Sequence, residues 1–291
     1  MHEILAIKIF VTLLVAGACG YFLFNYRCGR EQLNFSQKLR TGAAGFIANF
    51  LDTFGLGSFA TFFALRNSLG LMPDTLRYTS SIVIQAMVVT LVQSLLFLQL
   101  VKIDITTLVV SCIMIAMGGV LSGYLVKFIR RDLIYKVMLV TFLVTAVIVI
   151  LNLFNLLSIS GSLIQVRGLK LILLGVIMFV AGCLPAFGVG YYSIVLVAIF
   201  LLGLSPAVAY PIMTTASAVQ MPMTGIAMIK NRRYYSLSVL LMALPGCVAV
   251  LISAPIISRV DSSYLKWVLL VVLIYNMRLL LKVIRSRAAA A

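Results

Sequence analysis

One carboxylate and a repeated pair of glycines are the residues whose types and spacing suggest chemistry. Asp52 stands inside an apolar stretch, directly before Thr53-Phe54-Gly55-Leu56-Gly57-Ser58. The other acids, Glu3, Glu31, Asp74, Asp104, Asp132 and Asp261, fall at the ends of apolar stretches or between them. An acid held at membrane depth favours its neutral form and can take up and release a proton during transport, which makes Asp52 the candidate for proton coupling. The same side chain can instead cap a helix start with no part in transport. The glycine motif recurs as Phe187-Gly188-Val189-Gly190, where Pro185 occupies the place of Asp52. Each copy leads to an LGLxP turn, Leu69 to Pro73 and Leu202 to Pro206, and seven of the twenty positions in 54–73 and 187–206 are identical. This is an internal duplication, and glycine breaks at corresponding places in two apolar halves point to a transporter's binding site.

The chemistry such a site offers is anion binding. A helix that begins inside a membrane leaves its first N–H groups unpaired and directs a partial positive charge at them. Ser58 is placed to cap one such start, and Ser193, after Tyr191 and Tyr192, occupies the comparable region of the other copy. The next span of each half adds hydroxyls and an amide: Thr79, Ser80 and Ser81 with Gln85, and Thr214 and Thr215 with Gln220. These groups can donate to the oxygens of an oxyanion. The candidate substrate contacts are therefore Thr53, Phe54, Gly55, Gly57, Ser58, Thr79, Ser80 and Gln85 in the first half. In the second they are Phe187, Gly188, Gly190, Tyr191, Tyr192, Ser193, Thr214, Thr215 and Gln220. Close helix packing by the glycines and interhelical hydrogen bonds by the polar groups are the alternative uses. Gln93 and Thr90 have no counterparts and read as packing. His2 is the only histidine, the five cysteines lack metal-ligand spacing, and no nucleophile stands with a base, so neither an enzyme nor a metal or other cofactor is expected.

The elements that must position these residues are membrane helices. The chain is 63% hydrophobic and only 10% charged, with a mean hydropathy of +1.16, where a soluble domain carries about a quarter charged residues. The net charge of +16 comes from short clusters between apolar stretches, which sets membrane orientation and does not call for a nucleic-acid partner. Residues 4 to 24 are long enough to span about 30 Å of hydrocarbon, and the basic loop 25–40 after them belongs in the cytoplasm. Lys8 within that helix snorkels toward the interface. Residues 41–51 and 58–68 are each about half a membrane thickness long. If they form a V that dips in and returns, the clusters around Lys127 to Lys136, Lys230 to Arg233 and Arg285 to Arg287 all fall on the cytoplasmic side after spans at 75–100, 105–126, 133–157, 207–229, 237–258 and 264–284. Arg167 and Lys170 then lie outside.

The expectation is an all-α polytopic membrane protein built from two inverted repeats, 41–157 and 163–285. Each is a broken, re-entrant V-shaped segment followed by three spans, and the N-terminal helix 1–24 is an addition. Ala288 to Ala291 read as an appended remnant. The N-terminus is expected outside and the C-terminus in the cytoplasm, in the cytoplasmic membrane, with the lipid bilayer and a small anion as partners and an oligomeric state left open.

Two halves that each run from FGxG through LGLxP to a Thr/Ser-rich helix start resemble the TauE/SafE sulfite exporter family, over most of residues 41 to 285. The resemblance implies a carrier that exports sulfite, sulfoacetate or a related sulfur-containing anion by alternating access, coupled to an ion gradient. An anion channel sharing the half-helix logic and a non-transporting membrane scaffold are the competing readings.

Overall fold

A computed structural model gives the fold, describing residues 2–26, 31–54, 57–100, 103–125 and 163–256, with scattered residues, nearly all helical, between 136 and 154 and between 267 and 285. Among the described residues there is no strand. The helices are α1 (His2–Phe24), α2 (Phe35–Thr53), α3 (Ser58–Leu69), α4 (Thr75–Leu100), α5 (Ile105–Leu125), α6 (Leu169–Cys183), α7 (Tyr192–Leu201), α8 (Pro206–Lys230) and α9 (Ser236–Ser253), with a 3-10 turn at Leu184–Phe187 after α6. Six of them, α1, α4, α5, α6, α8 and α9, are long and apolar enough to cross a membrane. The chain is an all-helical, multi-pass membrane protein.

Burial sorts the helices into a centre and a rim. The spanning windows of α8 and α4 are 89% and 72% buried, against 17% for α1. The two central helices are also the ones whose apolar runs carry the most hydroxyls and amides, which lipid would leave unpaired. They pack antiparallel, with Ser94 Oγ donating to Thr215 Oγ1 at 3.0 Å and the Phe97 and Tyr210 rings stacked at 5.6 Å. Pro211 and Pro222 are accommodated inside an unbroken α8.

Hydrogen bonds and close contacts fix the directions of the rest. The Glu31 carboxylate accepts from the backbone N–H groups of Leu237 and Ser238 and from the Ser238 hydroxyl, so it caps α9 beside the start of α2. Gly42, Gly45 and Asn49 then meet Leu241, Met242 and Gly246 in order, and α2 runs parallel to α9. α4 shares that direction, since Tyr235 N–H donates to Ser81 Oγ at 2.9 Å near its start and Val89 reaches Gly246. α3 runs the other way. Tyr78 donates to the Phe62 carbonyl at 2.8 Å, and Arg66 braces the turn through Met72 O and Thr75 Oγ1.

α6 runs parallel to α5, with Gly175 against Val110 and Met114, and Gly182 and Gly118 facing the Ile115 and Phe179 carbonyls. The loop before α6 ties to the start of α5: Val166 N–H donates to Thr107 Oγ1 at 3.3 Å, and Arg167 pairs with Asp104 at 2.8 Å. Some desolvation pushes the Asp104 carboxyl up, but hydrogen bonds from the Thr107 backbone and hydroxyl and the Arg167 guanidinium outweigh it and hold the group below the usual carboxylate range. Lys170, also expected outside, donates to the Leu202 carbonyl at the end of α7.

One end of the bundle thus gathers Lys38, Arg40, Arg66, Arg77, Lys230, Arg232 and Arg233, and the other gathers Arg167 and Lys170 with Asp104. The first arm differs from the sequence expectation in length. α2 has 19 residues because it starts at Phe35, where the Asn34 N–H donates to the Gln37 side-chain oxygen at 3.0 Å, so Lys38 and Arg40 ride on the helix and not in a loop. The span expected at 133–157, the one at 264–284 and the cluster Lys127 to Lys136 lie largely outside the described residues.

Candidate functional site

The two glycine motifs meet. A Cβ on Gly190 would lie 3.7 Å from the Gly57 Cα and 3.6 Å from the Phe59 Cβ, which places the α2–α3 break against the α6–α7 break. Each break needs a backbone that only glycine adopts without strain: Gly57 has φ +78° and Gly188 has φ +80°. The matching LGLxP turns do the same at Gly70 (+63°) and Gly203 (+90°). Gly188 packs against the Phe63 ring and the Thr79 hydroxyl, so the second motif is seated between α3 and α4.

Between the motifs lies a small cavity of about 10 Å³, on the scale of one water molecule. The first half lines it with Asn49, Asp52, Gly57, Ser58, Phe59 and Thr90, and the second with Gly190, Tyr191, Tyr192 and Met221. Asp52 is the only charged side chain among the buried described residues. Its Oδ1 accepts the Ser58 N–H at 2.5 Å, and its Oδ2 accepts from Gln93 Nε2 at 3.1 Å. Gln93 Nε2 also lies 3.5 Å from Thr53 Oγ1, and its Oε1 accepts from the Tyr192 hydroxyl at 3.2 Å. Tyr191 is hydrogen-bonded to Ser217. A buried carboxylate thus holds the exposed N–H at the start of α3 and reaches the opposite motif through one amide.

These contacts redistribute the residues expected from sequence. Asp52, Gly57, Ser58, Gly190, Tyr191 and Tyr192 come together at the cavity, and Thr53 joins through Gln93. The α3 start is held differently from the expectation: its N-cap is Gly57, with no side-chain cap, and Ser58 contributes its N–H while Asp52 supplies the acceptor. Phe54 is the C-cap of α2, its ring tilted against that of Phe50 at 5.4 Å, and Phe187 ends the 3-10 turn. Ser80 and Thr214 bond back to Leu76 O and Tyr210 O, and Thr215 is engaged by Ser94, so these three serve helix packing. Gly55 and the Ser193 side chain lie outside the described residues.

Gln85 and Gln220 are not in the cavity wall but hold matched positions. Gln85 Oε1 accepts from Asn49 Nδ2 at 3.3 Å, and Gln220 Nε2 donates to the Gly182 carbonyl at 3.1 Å. Positions 49 and 182 correspond in the duplication, so each glutamine braces the first arm of its own broken segment. Gln85 Nε2 and Gln220 Oε1 have no hydrogen-bond partner.

Sequence reasoning missed Asn49 and Gln93. Asn49 precedes Asp52 by one helical turn, and Gln93 follows Gln85 by about two, so both fall near faces already marked as polar. Gln93 has no counterpart in the second half and reads as packing from sequence, yet it serves Asp52, which is equally unmatched.

No family model and no curated protein matches the chain.

Proposed function

We propose that this protein is a secondary active transporter for a small anion, proton-coupled through Asp52, working by alternating access about the meeting point of the two glycine motifs. The observation that carries the reading is the cavity itself: two broken helical segments, one from each half, line it together, and the one charged side chain among the buried described residues lies in its wall. The direction of the helices supports an inverted-repeat arrangement. α2 packs on α9 as α6 packs on α5, α4 and α8 cross at the centre, and Asn49–Gln85 corresponds to Gly182–Gln220. The end that gathers seven cations is then cytoplasmic by the positive-inside rule, which puts the N-terminus outside and makes each broken segment a V that enters the membrane and returns.

An anion suits the site when Asp52 is neutral. Its proton cancels the charge that would repel the ligand, and the Tyr192 hydroxyl at the cavity wall is then available as a donor. The cavity in this form holds no more than a water, so loading requires the halves to part at the motifs, as a rocking carrier does. The resemblance of the duplicated motifs to the TauE/SafE carriers points to sulfite, sulfoacetate or a similar anion as cargo, and an anion that binds with the proton follows the proton gradient in direction.

Flux into proteoliposomes of sulfite, sulfoacetate, thiosulfate and sulfate, with and without a pH gradient, tests the reading. The expected result is saturable flux of at least one of them that the gradient accelerates. Flux that stays linear in concentration, with conductance in planar bilayers, makes the protein a channel, and no flux of any of the four removes the sulfur-anion carrier reading.

A further inference from the structure

The geometry points to Gln93 as the coupling residue that converts protonation of Asp52 into an anion-binding state of Tyr192 on the opposite motif. The inference rests on the proton-coupled carrier reading and assigns its internal mechanism. An ionised carboxylate only accepts hydrogen bonds, so the Gln93 amide must turn its NH2 toward Asp52, as it does at 3.1 Å. That leaves Gln93 Oε1 facing Tyr192, whose hydroxyl must donate to it, as it does at 3.2 Å. Tyr192 therefore spends its only proton on Gln93 and presents lone pairs to the cavity it lines. In that state the wall offers an anion a carboxylate and the acceptor side of a phenol.

Adding one proton to Asp52 Oδ2 reverses the chain without moving any helix. The new O–H donates to Gln93, which rotates half a turn about its last side-chain torsion to present Oε1, a rotation with a natural twofold. Nε2 then donates to the Tyr192 oxygen, and the Tyr192 proton is released to point into the cavity. No bond other than the Asp52 O–H is made, and the proton taken up stays on Asp52. One proton thus removes a negative charge from the first motif and supplies a donor from the second. Asp52 Oδ1 keeps the Ser58 N–H throughout, so the start of α3 is not disturbed.

Little else near Asp52 competes for the proton. The ionisable groups that face it are the Tyr191 and Tyr192 phenols, with Cys112 behind Tyr191. Ser217 engages Tyr191 and also hydrogen-bonds the Tyr192 phenol, as a neutral hydroxyl that takes no proton from Asp52. The described residues of α3, α4 and α9 bring no acid or base to the cavity wall. Asn49, one turn before Asp52, spends its amide on the Gly45 carbonyl and Gln85 and does not touch the carboxylate. Gln93 is therefore the polar link between the protonation site and the second motif.

The test uses the full chain in proteoliposomes with radiolabelled sulfoacetate, whose charge is constant between about pH 5 and 8 because its acids ionise near or below the ordinary carboxylate value. One proton carried per anion permits about tenfold accumulation per pH unit. The wild type is expected to accumulate the probe under an inward proton gradient. Gln93→Met, which keeps the volume and removes both hydrogen bonds, is expected to lower accumulation under the gradient by a larger factor than it lowers exchange at equal pH. Tyr192→Phe, which keeps the packing, is expected to raise KM about tenfold or more, as loss of a donor to a charged group does, and to reduce the pH dependence of KM to the part set by the Asp52 charge. Full gradient-driven accumulation in a folded Gln93→Met variant, or an unchanged KM and pH profile in Tyr192→Phe, overturns the relay while leaving the carrier reading intact. If Gln93→Met does not fold, Tyr192→Phe decides. A wild type that carries sulfoacetate with no response to the gradient overturns proton coupling and the relay together.

Discussion

At Asp52 two demands meet on one carboxylate: it satisfies the open N–H of Ser58 and it is the only buried charge beside the cavity. Both uses are open in the sequence; the hydrogen bonds show the first oxygen on the helix start and the second on Gln93, which leaves proton coupling as the proposal. The neighbouring glycines were expected to be alike and are not. Gly57 has a positive φ, whereas a Cβ on Gly190 would make ordinary contacts with Phe59 and Gly57. Gly57→Ala is therefore expected to destabilise the protein by about 1–3 kcal/mol, the usual size of such backbone strain, and to reduce flux. Gly190→Ala is expected to fold and transport nearly normally. Thermal unfolding in detergent beside proteoliposome flux checks both, and equal effects at the two positions would contradict the asymmetry.

Among the elements, the close pairs are α2 with α9 and α5 with α6, each joining one half's broken segment to the other half's span. Gly118 and Gly182 let α5 and α6 approach so closely that an added methyl at either would strike the Phe179 or the Ile115 carbonyl. Gly17 and Gly20 on α1 have open space around them. Gly118→Ala and Gly182→Ala are expected to cost about 1–3 kcal/mol, as overpacking does, lowering Tm by several degrees. Gly17→Ala and Gly20→Ala should leave Tm unchanged or slightly raised, since alanine favours helix. The helices themselves were legible in the sequence as long apolar runs, and their breaks as paired glycines. Which helix lies on which was not legible, because packing of this kind depends on small residues such as Gly182 whose partners stand elsewhere in the chain. Gln93 was missed for a related reason. A symmetry argument finds what the halves share, and the carboxylate with its amide is what they do not share.

For the whole molecule, the two ends of the bundle are tied by different chemistry. Glu31 caps α9 at the cation-rich end, and Asp104 with Arg167 joins α5 to the loop before α6 at the other. If the halves are inverted across the membrane, these ties face opposite compartments. In a cysteine-free background, Asn34→Cys is expected to react with a membrane-impermeant maleimide only after the cells are opened, and Gln165→Cys in intact cells. Labelling of both from one side would contradict the inverted arrangement, and with it the account of two motifs approaching the centre from opposite faces. The central claim is that the proton on Asp52 drives the cargo through that centre, and uptake of sulfite and sulfoacetate by proteoliposomes containing wild type or Asp52→Asn tests it most directly. The predicted result is gradient-driven accumulation in the wild type and only downhill exchange in Asp52→Asn, whose amide mimics the neutral acid but cannot release a proton. Equal accumulation by the two proteins under the same pH gradient would contradict it.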